Sequence, residues 1–351
     1  MNKHNRILYI DPLLQNGHVN FNNIYIKSLA KAGYDLEFIF VKDYENKLDI
    51  DKSKVVYSIP KALFKRDYGK LVNRIAYLYG LFLIKMFVNF KKYDFVVFSS
   101  FEEISFAFSG ITKSYLINHI NVSNSYESKS KFFFLNWVLR ANSLIVLDEK
   151  TKKYLATKGS YDIHMLPHGL PSSKLFNDEI KEDSLFYIIA EFKKYKKIIF
   201  SPSESSSDKA FINELIESRN FIKYLEDESI LFIYKNDELK IMPNVVAING
   251  YLNQKAYDYL FLKSNIILLA YPESFRYRVS GVLLECIANN KACAVSRIDI
   301  LESFTEFFNY DPFFSNIEEL IQTIDNLNND SNENYFKNLN LLEPDFNNFF
   351  K

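Results

Sequence analysis

At 351 residues the chain is too long for one ordinary hydrophobic core and fits two domains of usual size. An apolar content of 48% and a charged content of 25% are those of a soluble globular protein, and two cysteines exclude a disulfide framework. The formal net charge of zero hides an asymmetry: residues 1–168 hold 24 Lys and Arg against 15 Asp and Glu, and the remainder holds 19 against 28. The basic half implies an anionic partner for that half. Many Phe, Tyr, Lys, Asn and Ile residues beside a single Trp fit an AT-rich, bacterial coding sequence. No signal peptide and no apolar span of transmembrane length is read, so a reducing cytoplasm is the expected location.

In chain order, Arg6–Ile10 reads as a strand, followed by a loop to Val19 and an amphipathic helix from Phe21 to Ala32 that Gly33 closes. Asp35–Val41 is the next strand, and this βαβ opening predicts a parallel sheet covered by helices. Lys54–Ile59, Asp94–Phe98, Ser114–Asn118, Ser143–Leu147 and Asp162–Leu166 are further short apolar runs of the kind that parallel sheets bury. Asp148, after one of them, stands where a helix N-cap belongs.

Between Lys61 and Lys92 lie eight basic residues and one acid, Asp67, around the apolar run Ile75–Val88. That run is too short to span a bilayer and reads as a buried crossover helix. Its basic surroundings are either a solvated helix end or a contact with the anionic inner face of a membrane.

A second series begins at Lys196–Ser201, with a helix at Lys209–Arg219, strands at Ile230–Tyr234 and Val245–Ile248, and a helix at Gln254–Lys263. Asn265–Ala270 is a continuous apolar run, Ser280 stands at the N-cap position of a helix carrying Val282, Leu283, Cys286 and Ile287, and Ala292–Val295 is the next strand. A late helix, Ile317–Leu327, precedes an Asn-rich tail expected to be partly helical and surface-lying. The domains expected are 1–170 and 171–335, with 336–351 as a tail.

The strand–loop–helix unit at 265–288 has the geometry that binds anions, because first-turn N–H groups lack partners inside the helix. Gly281 lets a ligand approach the backbone, Arg278 offers a bidentate contact to phosphate, and Glu285 lies one turn on, where a carboxylate suits ribose hydroxyls. The plainer reading is a capped helix with a surface arginine and a solvated glutamate.

This stretch resembles the nucleotide-sugar site of GT-B glycosyltransferases, particularly the large retaining family four. Glu285 matches the family's ribose-binding Glu, and Ala288–Val295 resembles its run into the following strand. Tyr277 occupies the position of the family's first Glu, and Glu273 serves in its place if the loop is four residues longer. Ser203 to Lys209 is similar to the family's Gly-Arg-(x)4-Lys segment: Lys209 matches the Lys, Ser203 and Glu204 replace the Gly and Arg, and Arg278 is the cation that replaces the lost one. Asn249-Gly250-Tyr251 resembles the glycine turn beside the nucleobase. Gln15-Asn16-Gly17-His18 looks like the Gln-Gly-His turn of family one, in which the His deprotonates an acceptor hydroxyl. His119, at a strand end, corresponds to a His that touches the donor sugar. Either histidine is otherwise structural, His18 as a helix cap.

The resemblance implies an α/β chain of GT-B plan, with two doubly wound Rossmann-like domains facing across a cleft. It implies a metal-independent glycosyltransferase of bacterial surface polysaccharide synthesis, with a nucleoside-diphosphate sugar as co-substrate and a glycan or lipid-linked acceptor. His18 and His119 are the candidate catalytic residues; Lys209, Tyr251, Glu273, Arg278, Ser280, Gly281 and Glu285 are the candidate donor-binding set. A GT-B-like nucleotide-sugar epimerase and a non-catalytic scaffold are the rival readings. No Gly-x-Gly-x-x-Gly occurs and no Asp-x-Asp pair ends a buried strand, so no dinucleotide cofactor and no metal are expected; no nucleic-acid partner is expected either.

Overall fold

The computed structural model describes residues 5–13, 18–63, 69–174, 192, 194–203, 208–236, 240–249, 252–329, 334–347 and 349–350. The expected positions Gln15, Asn16, Gly17, Lys65, Arg66, Asp67, Glu204, Gly250 and Tyr251 lie outside them. The chain forms two compact units, one of residues 1–171, 277–279 and 340–351, the other of 172–276 and 280–339.

In the first unit the apolar runs become seven parallel strands: β1 Arg6–Asp11, β2 Asp35–Val41, β3 Val55–Ile59, β4 Phe95–Phe98, β5 Tyr115–Ile117, β6 Ser143–Val146 and β7 Ile163–Met165. Their order is β3-β2-β1-β4-β5-β6-β7, so the winding direction reverses between β1 and β4. Helices α1 Val19–Lys31, α2 Lys70–Phe87, α3 Glu103–Ser109, α4 Asn121–Glu127, α5 Lys129–Leu139 and α6 Glu149–Ala156 connect the strands. Asp148 caps α6 by accepting from the Thr151 amide at 2.6 Å. One core cluster centres on Leu8, Ile10, Val96 and Phe98, and a second on Ile7, Tyr9, Phe38 and Val97, because alternate residues of each strand face opposite sides of the sheet.

The second unit repeats the plan with β8 Lys197–Ser201, β9 Ile230–Asn236, β10 Lys240–Met242, β11 Val245–Asn249, β12 Ile266–Leu269, β13 Cys293–Ser296 and β14 Phe313–Phe314. The order is β10-β11-β9-β8-β12-β13-β14, parallel except for β10, and here the reversal lies between β8 and β12. Its helices are α7 Lys209–Glu217, α8 Arg219–Asp227, α9 Gln254–Lys263, α10 Gly281–Ala288, α11 Asp299–Glu302 and α12 Ile317–Asn329. The helix expected to run to Arg219 ends earlier because Ser218 turns extended and caps α8 through the Phe221 amide. Cys286 and Cys293 are both buried and form no disulfide.

Two expectations of burial are corrected. The apolar run 75–88 is not buried as a whole: Tyr77, Leu81 and Ile84 pack on the sheet, whereas Ile75, Tyr79, Phe82 and Met86 are exposed. A helix against a sheet hides one stripe, and α2 is apolar on more than one. The tail is not surface-lying throughout, since Phe346 and Phe350 are buried among Tyr25, Tyr34 and Phe95 of the first unit. A tail tied down by two rings is part of the core it enters. Phe346→Ala is therefore expected to lower the stability of the first unit by roughly 3–5 kcal/mol, read by urea denaturation.

Candidate functional site

In a doubly wound sheet the strand ends diverge where the order reverses, and the loops leaving them enclose a crevice. Both units have one. In the first, a cavity of about 300 Å³ is lined by residues following β1 (Leu13, His18), β4 (Ser100, Glu102, Glu103) and β5 (His119, Asn121), together with Arg74, Tyr77 and Lys131.

Asp11 at the end of β1 is fully buried and held by three donors: Asn22 Nδ2 at 2.7 Å, the Leu13 amide at 3.3 Å and the Ser100 hydroxyl. Its Oδ2 lies 3.7 Å from His18 Nδ1, beyond hydrogen-bond reach but within that of a charge contact. His18 sits at the N-cap position of α1 but makes no capping hydrogen bond, so its side chain is not spent on the helix end. His119 stacks on His18 with ring centroids 4.2 Å apart and packs edge-on against Phe21. The Ser99 carbonyl, which can only accept, lies 2.9 Å from His119 Nε2, so that nitrogen carries the proton. Burial, followed by the neighbouring His18 and His168, holds the His119 imidazole well below the usual 6.5. His168, also packed on Phe21, is pushed down to about 4 by burial. Gly169 fixes that turn with a positive φ of 86°, and a Cβ there would collide with Ile24.

The acid end of the cavity is Glu103, 2% exposed, with Asn121 Nδ2 donating to one oxygen at 3.1 Å. Its other oxygen has Lys131 Nζ at 3.6 Å and no hydrogen bond, and burial raises its pKa. Arg74 Nε donates to Glu102 at 3.0 Å, so each cation lining the cavity stands beside a carboxylate. The Tyr77 hydroxyl is buried near the Glu102 amide without a hydrogen bond of ordinary geometry. Among the described residues seven buried side-chain polar atoms lack a hydrogen-bond partner, and three of them, His18 Nδ1, Tyr77 Oη and Glu103 Oε1, belong to residues lining this one cavity. Each orphaned group costs about 1–3 kcal/mol unless something else meets it.

In the second unit a cavity of about 200 Å³ lies at the ends of β12, β13 and β14, lined by Asp208, Tyr271, Glu273, Ser296, Arg297 and Ser315 among others. Two helices start from partners at the end of β12. The Asp208 amide donates to the Ala270 carbonyl at 2.8 Å, placing the start of α7 and Lys209 at the end of β12. The Tyr271 hydroxyl lies 2.9 Å from Ser280 Oγ, and Ser280 caps α10 through the Leu283 amide at 3.1 Å. A Cβ built on Gly281 meets open space. The first turn of α10 beside Gly281 favours an anion, whereas the first-turn amides of α7 already face the Asp208 carboxylate.

Glu285, on α10, accepts from the Tyr257 hydroxyl at 2.6 Å and has Lys174 Nζ 3.6 Å from its other oxygen. Lys174 also pairs with Asp258 and lies over the Tyr257 ring at 4.8 Å. Burial nonetheless outweighs these partners and raises the Glu285 pKa. Glu273 is exposed and pairs with Arg276. Arg278 belongs to the first unit, where its Nε donates to Ser123 Oγ at 3.0 Å and Tyr277 beside it stacks on Tyr154. Tyr251 is outside the described residues. The candidate set thus divides: His18 and His119 touch each other, Lys209, Ser280, Gly281 and Glu285 share the second unit, and Arg278 lies in the first. Asp11, Tyr77, Glu103 and Lys174 were not singled out from sequence. The pair Glu102-Glu103 shortly after an apolar strand was a readable signal; Lys174, in a linker, had none.

No protein-family model and no curated protein matches this sequence. Solved structures do. Anabaena HepE in complex with UDP and glucose is 11% identical, with 93% of this chain and 89% of that one aligned at a TM-score of 0.60. The UDP-forming α,α-trehalose-phosphate synthase of Burkholderia xenovorans, in complex with glucose-6-phosphate, is 10% identical over 93% and 92%, with a TM-score of 0.57. The UDP-N-acetylglucosamine 2-epimerase of Rickettsia bellii is 14% identical over 94% and 89%, with a TM-score of 0.54. The class these findings define is the GT-B fold, two Rossmann-like α/β units in one chain, and identities this low speak for the fold alone.

The half-buried His119 and His168 generate a pH prediction. Their folded pKa values lie below the unfolded one, so between the two values the unfolded chain binds more protons, and stability falls as pH drops. For His168 that window runs from 6.5 down to about 4. The slope is at most about 1.4 kcal/mol per pH unit. Urea midpoints across this window are expected to fall less steeply for His168→Gln than for the wild type, by one proton's worth of slope.

Proposed function

We propose that the protein is a glycosyltransferase that moves a sugar from a nucleoside-diphosphate sugar to a hydroxyl of an uncharged glycan or lipid-linked glycan, in bacterial surface polysaccharide synthesis. The observation that carries this reading is the convergence of His18, Tyr77 and Glu103, with their orphaned polar atoms, on one cavity at the strand-order reversal of the first unit. A ligand rich in hydroxyl groups supplies what those atoms lack: a donor for Glu103, and a donor or acceptor for Tyr77. A phosphorylated acceptor fits less well, because Arg74 and Lys131 already face Glu102 and Glu103.

His18 is assigned the general base. With Nδ1 protonated toward the Asp11 carboxylate, Nε2 carries the lone pair that takes the acceptor proton, and Asp11 stabilises the imidazolium that results. His119, kept neutral by burial and fixed by Ser99, is a positioning partner stacked on it. The donor diphosphate is assigned to the N-terminus of α10 with Lys209, without a metal. Glu285 takes the ribose once Tyr257 and Lys174 yield part of its hydrogen-bonding capacity.

One observation favours a nucleotide-sugar epimerase instead: the cavity holds two adjacent acids, and Glu103, raised by burial, is suited to carrying a proton. Calorimetry against a nucleotide-sugar panel, followed by product analysis with and without sugar acceptors, separates the readings. Transfer requires a new glycoside that appears only with acceptor; an altered nucleotide sugar without acceptor means an epimerase. A folded protein that binds none of the panel is a scaffold. Under the transfer reading, His18→Ala is expected to lower kcat about 10²- to 10⁴-fold with donor affinity unchanged. Glu103→Gln is expected to raise the acceptor KM roughly 10- to 100-fold, and Glu285→Gln to weaken donor binding alone.

A further inference from the structure

Helix α2 has two apolar faces. Tyr77, Leu81 and Ile84 are buried in the first unit's core. Leu71, Ile75, Tyr79, Phe82 and Met86, spaced four, four, three and four residues apart, form a second stripe that is 47% to 70% exposed. Two adjoining helices carry exposed rings as well. α3 packs on both α2 and α5, and Lys85 on α2 donates to the Ser109 carbonyl at the end of α3. Phe108 of α3 and Phe133 and Trp137 of α5 are about half exposed or more, and Phe108 lies 5.9 Å from Trp137. Single exposed apolar side chains are ordinary, but eight on three adjoining helices are not.

The charge around this surface selects its occupant. Residues 69–93 and 129–140, which contain α2 and α5, hold eight Lys and Arg and no Asp or Glu. Two of these cations pair with Glu102 and Glu103, whereas Lys91 and Lys92 stand exposed in the turn after α2. A second copy of the same surface would bring like charges together, which costs rather than stabilises. An anionic bilayer meets both features at once, apolar side chains entering the headgroup boundary and cations meeting lipid phosphate. Tyr79 and Trp137 are the amphipathic rings favoured at that depth. No described helix is long and apolar enough to cross a membrane, so the helix lies along the surface.

We infer that the α2–α3–α5 face of the first unit is a docking surface for anionic phospholipid membranes, through which the protein binds peripherally without inserting a span. The inference goes beyond the transfer reading and does not depend on it, since binding needs neither donor nor acceptor.

The test is flotation of the full-length protein with phosphatidylcholine vesicles and with phosphatidylcholine–phosphatidylglycerol vesicles, at low and high salt. Wild type is expected to float with the anionic vesicles, at least about tenfold more weakly with the neutral ones, and less at high salt. Ile75→Ser/Phe82→Ser/Met86→Ser and, separately, Phe133→Ser/Trp137→Ser are expected to weaken binding about tenfold or more with unchanged circular dichroism. Should these variants misfold, Lys91→Glu/Lys92→Glu, confined to the exposed turn, is expected to show a comparable loss. Wild-type protein that stays in the soluble fraction, or folded variants that float like wild type, would overturn the inference. It would equally fall if the wild type were a dimer in solution and the serine variants monomeric, because the face would then be a protein interface.

Discussion

The first unit depends on how one buried carboxylate is satisfied. Asp11 ends β1, where the sheet reverses direction, and it can stay there only because Asn22, Ser100 and the Leu13 amide supply donors. Asn22 in turn accepts from the Tyr9 hydroxyl at 2.8 Å and donates to Tyr44 at 3.1 Å, so the network reaches from β1 into α1 and the turn after β2. A polar cluster of this kind is costly if any member is missing, which makes it rigid. Rigidity matters at this position because the same carboxylate faces His18, and a base is useful only if its orienting partner does not move. The strand register that builds the sheet is thereby the register that sets the candidate chemistry.

The second unit has a different balance. Glu285 is not poised empty for a ligand; it is held by a tyrosine hydroxyl and a lysine that has Asp258 as a second partner. Burial still raises its pKa, so these contacts do not fully repay the desolvation of its charge. A pair of vicinal hydroxyls would add donors without adding charge, which is the kind of partner such a carboxylate gains most from. The alternation of burial cost and partial compensation separates this site from a surface salt bridge, where water would meet the same need.

Much of the fold was legible, and for a single reason. Strands buried on both faces must be continuous apolar runs, and Ile7–Ile10, Val96–Phe98, Ile266–Leu269 and Cys293–Val295 are such runs. Caps were legible where their chemistry is local, as at Asp148 and Ser280. What was not legible depends on tertiary partners. β14 is two residues long and exists only as a neighbour to β13; α8 begins where Ser218 breaks a pattern that reads as one helix. Asp11 looked like the first residue of a loop, because nothing in Asp-Pro-Leu announces that the side chains of Asn22, Ser100 and His18 converge on it.

Periodicity fails most instructively at α2. An alternation of apolar and polar residues tells which face of a helix is inside, but a run apolar on several faces tells only that more than one face avoids water. The fold resolves half of the question by burying Tyr77, Leu81 and Ile84. It leaves the other face uncovered, beside segments from which acidic residues are absent. Folding alone gives no reason to keep acids out, since one glutamate per turn would have raised solubility and paired with the lysines. The inferred membrane surface would account for that absence, because it would act on the same residues whose apolar neighbours the core does not use.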